Sequence, residues 1–146
     1  MKWLTIAAII TLSVTYFSCT NGDSTNNRSV DDNTMNKIEV YDFHSTHRCM
    51  TCNAIESSTK YTLDTYFAEE LKSGKITFQV VNVDNRETRK ITEKFEAAGT
   101  ALILNVIVDG VETKIDLTNF AFMKGNEQEE FAKEFKLKIE NELKKM

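Results

Sequence analysis

The chain has 146 residues, 41% of them hydrophobic and 27% charged, with a formal net charge of -4. Once a leader is set aside, that length leaves room for one domain with one modest core. The acidic balance argues against nucleic acid, whose phosphates are held by clustered Lys and Arg; the closing lysines, Lys136, Lys138, Lys144 and Lys145, alternate with Glu140 and Glu142 and read as a solvated helix face.

Residues 1–18 read as a signal peptide. Lys2 gives a positive start, and residues 3–12 form an apolar run too short to span a bilayer comfortably. The run ends at Tyr16-Phe17-Ser18-Cys19. A small residue directly before a cysteine at that place resembles the lipobox of bacterial lipoproteins, although Tyr16 stands where those proteins usually carry Leu. The resemblance implies cleavage before Cys19, a diacylglycerol on its thiol, and an extracytoplasmic, lipid-anchored location on a periplasmic face or cell surface. A plain signal peptide with a chance cysteine, or an uncleaved membrane anchor, is the alternative. Residues 19–36 have too little apolar content to offset the entropy of ordering themselves and read as a flexible tether. The folded domain is expected over 37–146.

Residues 38–43 carry the β-branched and aromatic content of a strand, and residues 44–51 are a polar loop, with His44 at the strand end. From Cys52 a helical period sets in, with Ile55, Thr59, Leu63, Tyr66, Phe67 and Leu71 on one broad face, stopped by Ser73-Gly74. Residues 75–83 form a second strand, apolar enough to be buried. Asp84 or Asn85 then caps a helix that turns Ile91, Phe95 and Ala98 inward and ends at Gly99. Residues 101–108 and 111–117, joined by Asp109-Gly110, predict a hairpin with a tight primed turn. Residues 127–146 repeat apolar side chains at Phe131, Phe135, Ile139 and Leu143, with acidic residues opening the helix and lysines closing it.

The order is β-α-β-α-β-β-α. Two strands joined by a helix should be parallel, with a right-handed crossover. The hairpin adds antiparallel strands, giving an α/β fold with a mixed four-stranded sheet flanked by helices. A Cys49-Met50-Thr51-Cys52 pair falls where the first strand gives way to the first helix. A thiol at a helix start meets unpaired amide hydrogens and the positive end of the dipole, so its thiolate is stabilised and becomes a nucleophile. A second thiol three residues on lies close enough to resolve a mixed disulfide. Arg48 and His47 place cations beside this pair and act as thiolate-tuning candidates, or else belong to a polar loop without catalytic effect.

On those elements and that motif, residues 38–146 resemble the thioredoxin superfamily in its minimal form. The resemblance implies a thiol-disulfide oxidoreductase in which Cys49 attacks and Cys52 resolves, acting on protein thiols or disulfides and drawing on a membrane electron donor, with no cofactor. It also implies a buried acid at about Asp42 or Phe43, which makes Asp42 a candidate proton acceptor. The chain departs from the family in two respects. Met50-Thr51 replaces the familiar Gly-Pro, and the sequence contains no proline, so the cis-proline loop that faces the dithiol falls at Thr100 or Ala101 and is expected to be trans. Loss of that contact points to a restricted substrate, and the cationic approach tilts the pair toward oxidising power. Three alternatives remain. His47-x-Cys49-x-x-Cys52 could hold a soft metal or metalloid, although structural zinc normally takes four protein ligands and Ile55 stands where heavy-metal domains need a cysteine. The pair could also be an inert bridge, although so short a loop gains little stability from one, or the domain could be a non-catalytic binding module.

Overall fold

The computed structural model describes residues 36–146. Residues 1–35, on which the expected signal peptide, the lipidation call at Cys19 and all but the last residue of the expected tether fall, lie outside the described residues. Strand β1 (Lys37–His44) leads into helix α1 (Met50–Tyr66), helix α2 (Ala68–Ser73) and strand β2 (Ile76–Asn82). A 3-10 turn (Arg86–Thr88) then opens helix α3 (Arg89–Phe95), which precedes the hairpin β3 (Ala101–Val108) and β4 (Val111–Asp116). Helices α4 (Thr118–Lys124) and α5 (Gln128–Leu143) complete the domain.

The strands lie in the order β2-β1-β3-β4. β1 and β2 run parallel with Ile38 opposite Ile76, while β3 runs antiparallel to β1 with Phe43 opposite Ala101. β3 and β4 pair antiparallel. Their turn places Asp109 at φ 51° and Gly110 at φ 79°, the two positive values that a type I′ turn demands. This is the mixed sheet of the thioredoxin-like arrangement, with the Cys49–Cys52 segment at the end of its central parallel strand.

Alternation along β1 divides the core. Ile38 and Val40 face one side, where they join Ile55 and Leu63 of α1 and Phe131, Phe135 and Ile139 of α5. Tyr41 and Phe43 face the other, where Phe95 of α3 covers them together with Val81 and Ile103. The aromatic rings of Phe120, Phe131 and Phe135 pack together on the first side, with centroids 4.9 to 6.4 Å apart.

Several boundaries differ from the sequence reading, each for a local reason. The first helix starts at Met50, not Cys52, because Cys49 is its cap. It also breaks at Phe67, whose φ of -133° and ψ of 29° are not helical. An unbroken helix would rotate the Ile55-Thr59-Leu63 stripe by about 40° every four residues. The break instead drops the Phe67 ring into the core while Tyr66 stays half-exposed under the Lys136 ammonium. β2 is an edge strand, so only its Ile76 and Val81 are buried. α3 stops at Phe95, four residues before Gly99, because Glu96 takes φ 54° and the Ala97 amide turns back to the Thr92 carbonyl. Ala97 is buried in consequence, and Ala98 is exposed.

Helix α4 is not announced by the sequence periodicity. Asp116 Oδ1 accepts the Thr118 amide at 2.8 Å and starts it. Its far end meets α1: Ser58 Oγ donates to the Gly125 carbonyl at 3.1 Å, and Asn126 Nδ2 reaches Thr51 Oγ1 at 3.4 Å. A Cβ on Gly125 would lie 2.6 Å from Ile55 Cγ1 and 2.7 Å from the Ala121 carbonyl oxygen. Both are closer than a side chain tolerates. Among the described residues, no helix is long and apolar enough to cross a membrane. Gly125→Ala should therefore force α4 off α1 and cost about 1–3 kcal/mol, the usual penalty of overpacking. Urea denaturation of the two proteins measures it, and an unchanged midpoint would mean that the close approach is not needed.

Candidate active site

Positioning begins with the loop between β1 and α1. The Thr46 amide donates to Asp84 Oδ2 at 2.7 Å, Asn82 Nδ2 reaches Thr46 Oγ1 at 3.2 Å, and the Val83 amide donates to the His44 carbonyl at 2.9 Å. The end of β2 thus holds the loop that delivers the cysteines. Thr46's hydrogen bonds keep the Asp84 carboxyl below the usual carboxylate range, with smaller contributions from the charges of His47 and His44.

Cys49 then caps α1 from an extended backbone, φ -77° and ψ 167°. Its Sγ accepts the Cys52 amide at 3.0 Å, and Cys52 Sγ accepts the Cys49 amide at 3.3 Å. The two sulfurs form a disulfide, with their Cα atoms 5.1 Å apart. Exposure separates the two cysteines: Cys49 is exposed, and Cys52 is 7% exposed. Met50, between them, is 86% exposed and projects from the helix start.

Below the pair lies a charge cluster. Asp42 is on the α1-facing side of β1 with no exposed surface. Among the described residues, neither of its carboxylate oxygens has a hydrogen-bond partner. Arg48 Nη2 stands 3.8 Å from Asp42 Oδ2 and 3.5 Å from the Cys52 carbonyl oxygen, while its Nη1 pairs with Glu56 Oε2 at 2.5 Å. Burial pushes the Asp42 carboxyl up from 3.8 to about 7. Arg48 opposes that rise and Glu56 adds to it, so desolvation outweighs the ion pair.

The structure therefore gathers Cys49, Cys52, Arg48 and Asp42. The Arg48 guanidinium turns inward to two carboxylates and the Cys52 carbonyl. His47 is exposed, and its charge acts on Asp84. Ala101 opens β3 opposite Phe43, so the loop before it sits at the same end of the sheet as the dithiol. Its peptide bonds are trans. Thr100 and Ala101 line a cleft of about 510 Å³ together with Lys114, Asp116, Thr118 and Asn119. Glu56 is the residue that sequence reasoning passes over, although it falls one helical turn after Cys52 and thus on the same face. Among the described residues, no three of His, Cys, Asp and Glu gather so as to hold a metal ion.

No protein-family model matches the chain, and no curated protein sequence matches it significantly. Two solved structures are similar to it in part. One, described as the structure of a malarial protein, is 16% identical, with 63% of this chain and 99% of that chain covered and a TM-score of 0.39. The other, mitochondrial thioredoxin 3 from Saccharomyces cerevisiae in its oxidised form, is 23% identical, with 64% and 79% covered and a TM-score of 0.41. The fold assignment itself stands on strand order, register and the position of the cysteine pair.

The raised Asp42 sets the direction of a pH effect on stability. Between about pH 4 and pH 7 the folded chain keeps this proton while the unfolded chain has released it, so stability falls as pH rises through that window and levels off above it. The full loss is at most about 4 kcal/mol. Asp42→Asn should flatten this slope and be the more stable protein at pH 8. Chemical denaturation at pH 5 and pH 8 checks both points; equal slopes in the two proteins would show that Asp42 titrates like an exposed carboxylate.

Proposed function

We propose that the chain is a thiol-disulfide oxidoreductase working through the Cys49–Cys52 dithiol, extracytoplasmic and lipid-anchored through Cys19, with a restricted protein substrate. The observation that carries the redox reading is the asymmetry at the start of α1. Cys49 is exposed, and the Cys52 amide points at its Sγ from 3.0 Å. Once the disulfide opens, that same amide and the helix dipole stabilise a Cys49 thiolate. Cys52 waits behind it, shielded from competing oxidants and thiols.

The chemistry balances within the two sulfurs and the substrate. The Cys49 thiolate attacks one sulfur of a substrate disulfide, forming a mixed disulfide and expelling the other sulfur as a thiolate. Cys52 loses its proton and attacks Cys49 Sγ, which closes the Cys49–Cys52 bond and releases the second substrate thiol. Two electrons and two protons pass to the substrate, and a dithiol partner returns them. The reverse sequence oxidises a substrate dithiol. Because Arg48 is engaged by Glu56 and Asp42, the cap amide and the dipole are the principal stabilisers of the thiolate, and the Arg48 charge acts mainly on the buried side.

The location rests on sequence. A lipobox-like Ser18-Cys19 closes the apolar run, and a polar segment separates it from the domain. The restricted substrate is supported by the proline-free loop at Thr100 and Ala101 and by the exposed, unbranched Met50 between the two cysteines.

In membranes from cells making the full chain, Cys52→Ala should accumulate mixed disulfides through Cys49, while Cys49→Ala should not. The Cys49 thiol should titrate below the free-cysteine value of about 8.5. Traps formed only by Cys49→Ala would reverse the two roles, and traps formed by neither would favour a binding module. The intact mass of the membrane-extracted protein decides the anchor: a diacylated chain beginning at Cys19 is expected, and an unmodified Cys19 would refute it.

A further inference from the structure

The loop between α3 and β3 opens on a left-handed turn and has no proline to stiffen it. Among the described residues, Glu96 and Asp109 are the non-glycine residues with positive φ. Asp109 takes it because the primed turn of the hairpin demands it. Glu96, at φ 54°, takes it at the end of α3, where a side chain makes the conformation costly. The Ala97 amide closes this turn on the Thr92 carbonyl at 3.0 Å, which buries Ala97 in the cluster of Phe43 and Ile103. Gly99 then comes up to the loop that delivers the cysteines: a Cβ built on it would stand 3.9 Å from Ser45 Oγ. Thr100 and Ala101 follow as part of the cleft wall.

Lys114 holds that turn from the sheet. It lies on β4 opposite Asn105, and its Nζ donates to the Phe95 carbonyl oxygen at 2.7 Å. Phe95 is the last residue of α3, so this carbonyl is one that the helix ladder leaves without a partner, at the negative end of the dipole. The same Nζ lies 3.6 Å from Glu96 Oε2, but that side chain is 86% exposed, so water screens the ion pair and the carbonyl bond outweighs it. From the other direction Lys94 of α3 pairs with Glu112 Oε2 of β4 at 2.6 Å. Helix and strand are thus linked twice, and the Lys114 link is the one at the turn.

We infer that Lys114 is a positioning residue for the redox reaction proposed above: by holding the Phe95 carbonyl it keeps Glu96 in its left-handed turn and so fixes the Gly99–Ala101 segment for a polypeptide substrate. A proline ring would stiffen such a loop by restricting φ. Here a lysine on the adjacent strand does so through one charged hydrogen bond. The inference rests on the oxidoreductase reading and adds to it the residue that favours polypeptide disulfides over small ones. A polypeptide disulfide brings chain to both sides of the attacked sulfur and lies against this segment. A small disulfide meets the exposed Cys49 without it. Loss of the clamp therefore weakens polypeptide binding and leaves the thiolate to its own stabilisers, the Cys52 amide and the α1 dipole.

The full chain and its variants, reduced beforehand, are oxidised in single-turnover reactions by insulin, a polypeptide disulfide, and by 2-hydroxyethyl disulfide, a small one. Lys114→Met should lower the insulin rate relative to the small-disulfide rate by about fivefold, the worth of one net hydrogen bond. The loss should appear as a higher half-saturating insulin concentration. Lys114→Arg, which keeps a donor, should restore most of the ratio. Glu96→Gln, which removes only the exposed ion-pair partner, should hold it within about twofold. Hydrogen exchange at the Gly99 and Thr100 amides should quicken in Lys114→Met and not in Glu96→Gln. Lys114 is partly exposed, and Lys114→Gln carries the test should Lys114→Met fail to fold. A ratio unchanged in Lys114→Met overturns the proposal, as does a loss in Glu96→Gln as large as that in Lys114→Met. A wild-type chain that reacts with neither probe would sink the oxidoreductase reading. Amide exchange still decides the clamp in that case, and exchange unchanged in Lys114→Met overturns it.

Discussion

The contact on which the site depends is one hydrogen bond, from the Cys52 amide to Cys49 Sγ. A helix must satisfy its first amides from outside its own ladder. Here a sulfur does so at the position where Ser, Thr, Asp or Asn usually serves. That choice fixes where α1 begins, hence which residues make its inward stripe: Cys52, Ile55, Thr59 and Leu63 follow from a start at Met50. It also divides the two sulfurs between water and core, since a cap residue stands outside the helix cylinder and the third helical residue lies on its inner side. The unequal exposure of the two cysteines is thus a by-product of capping geometry and requires no further device.

A cap of this kind holds only if the chain on both sides is fixed. On the approach, Asp84 and Asn82 hold Thr46 from the end of β2. On the other side, the end of α4 rests on α1 through Gly125, Ser58 and Asn126. The α4 segment thus acts as a brace, made feasible by a glycine that lacks the carbon which would collide with Ile55. Two elements far apart in sequence converge on the first turns of one helix, which accounts for a preorganised dithiol in a domain with a modest core.

The architecture was legible in the sequence wherever an element carried a strong local signal. Asp109-Gly110 dictated a primed turn, and the four-residue spacing of Phe131, Phe135 and Ile139 dictated a buried helix face. The misplaced boundaries have a shared cause. Cysteine does not figure among common caps, so periodicity alone begins α1 two residues late, at Cys52, while the chemistry of the pair already places Cys49 at the helix start. Glu96 in a left-handed conformation is an ending that composition does not reveal, and Gly99 drew the boundary of α3 too far on. The short α4 offered too few turns for a period to show. At the site, the cysteine pair was visible in the sequence, while the acid followed only from the family resemblance, which left Asp42 and Phe43 open. The place of Glu56 was not legible, because an acidic residue near a helix start ordinarily reads as solvated. Only the inward turn of Arg48 reveals its partner.

An enclosed carboxyl with no hydrogen-bond partner is a poor way to stabilise a fold. Leaving such a group unsatisfied costs about 1–3 kcal/mol, and ionising it there adds more. An apolar residue at this point of β1 would pack between Val80 and Leu102 without that penalty. The destabilisation is concentrated beneath the one disulfide among the described residues, beside a guanidinium that faces the Cys52 carbonyl oxygen. Strain of this kind persists where the surrounding structure holds it in place, and here the sheet, α1 and the Arg48–Glu56 pair do so together. The same proton thus governs both the cost of folding and the charge beneath Cys52. A substitution that removes the carboxyl changes both at once.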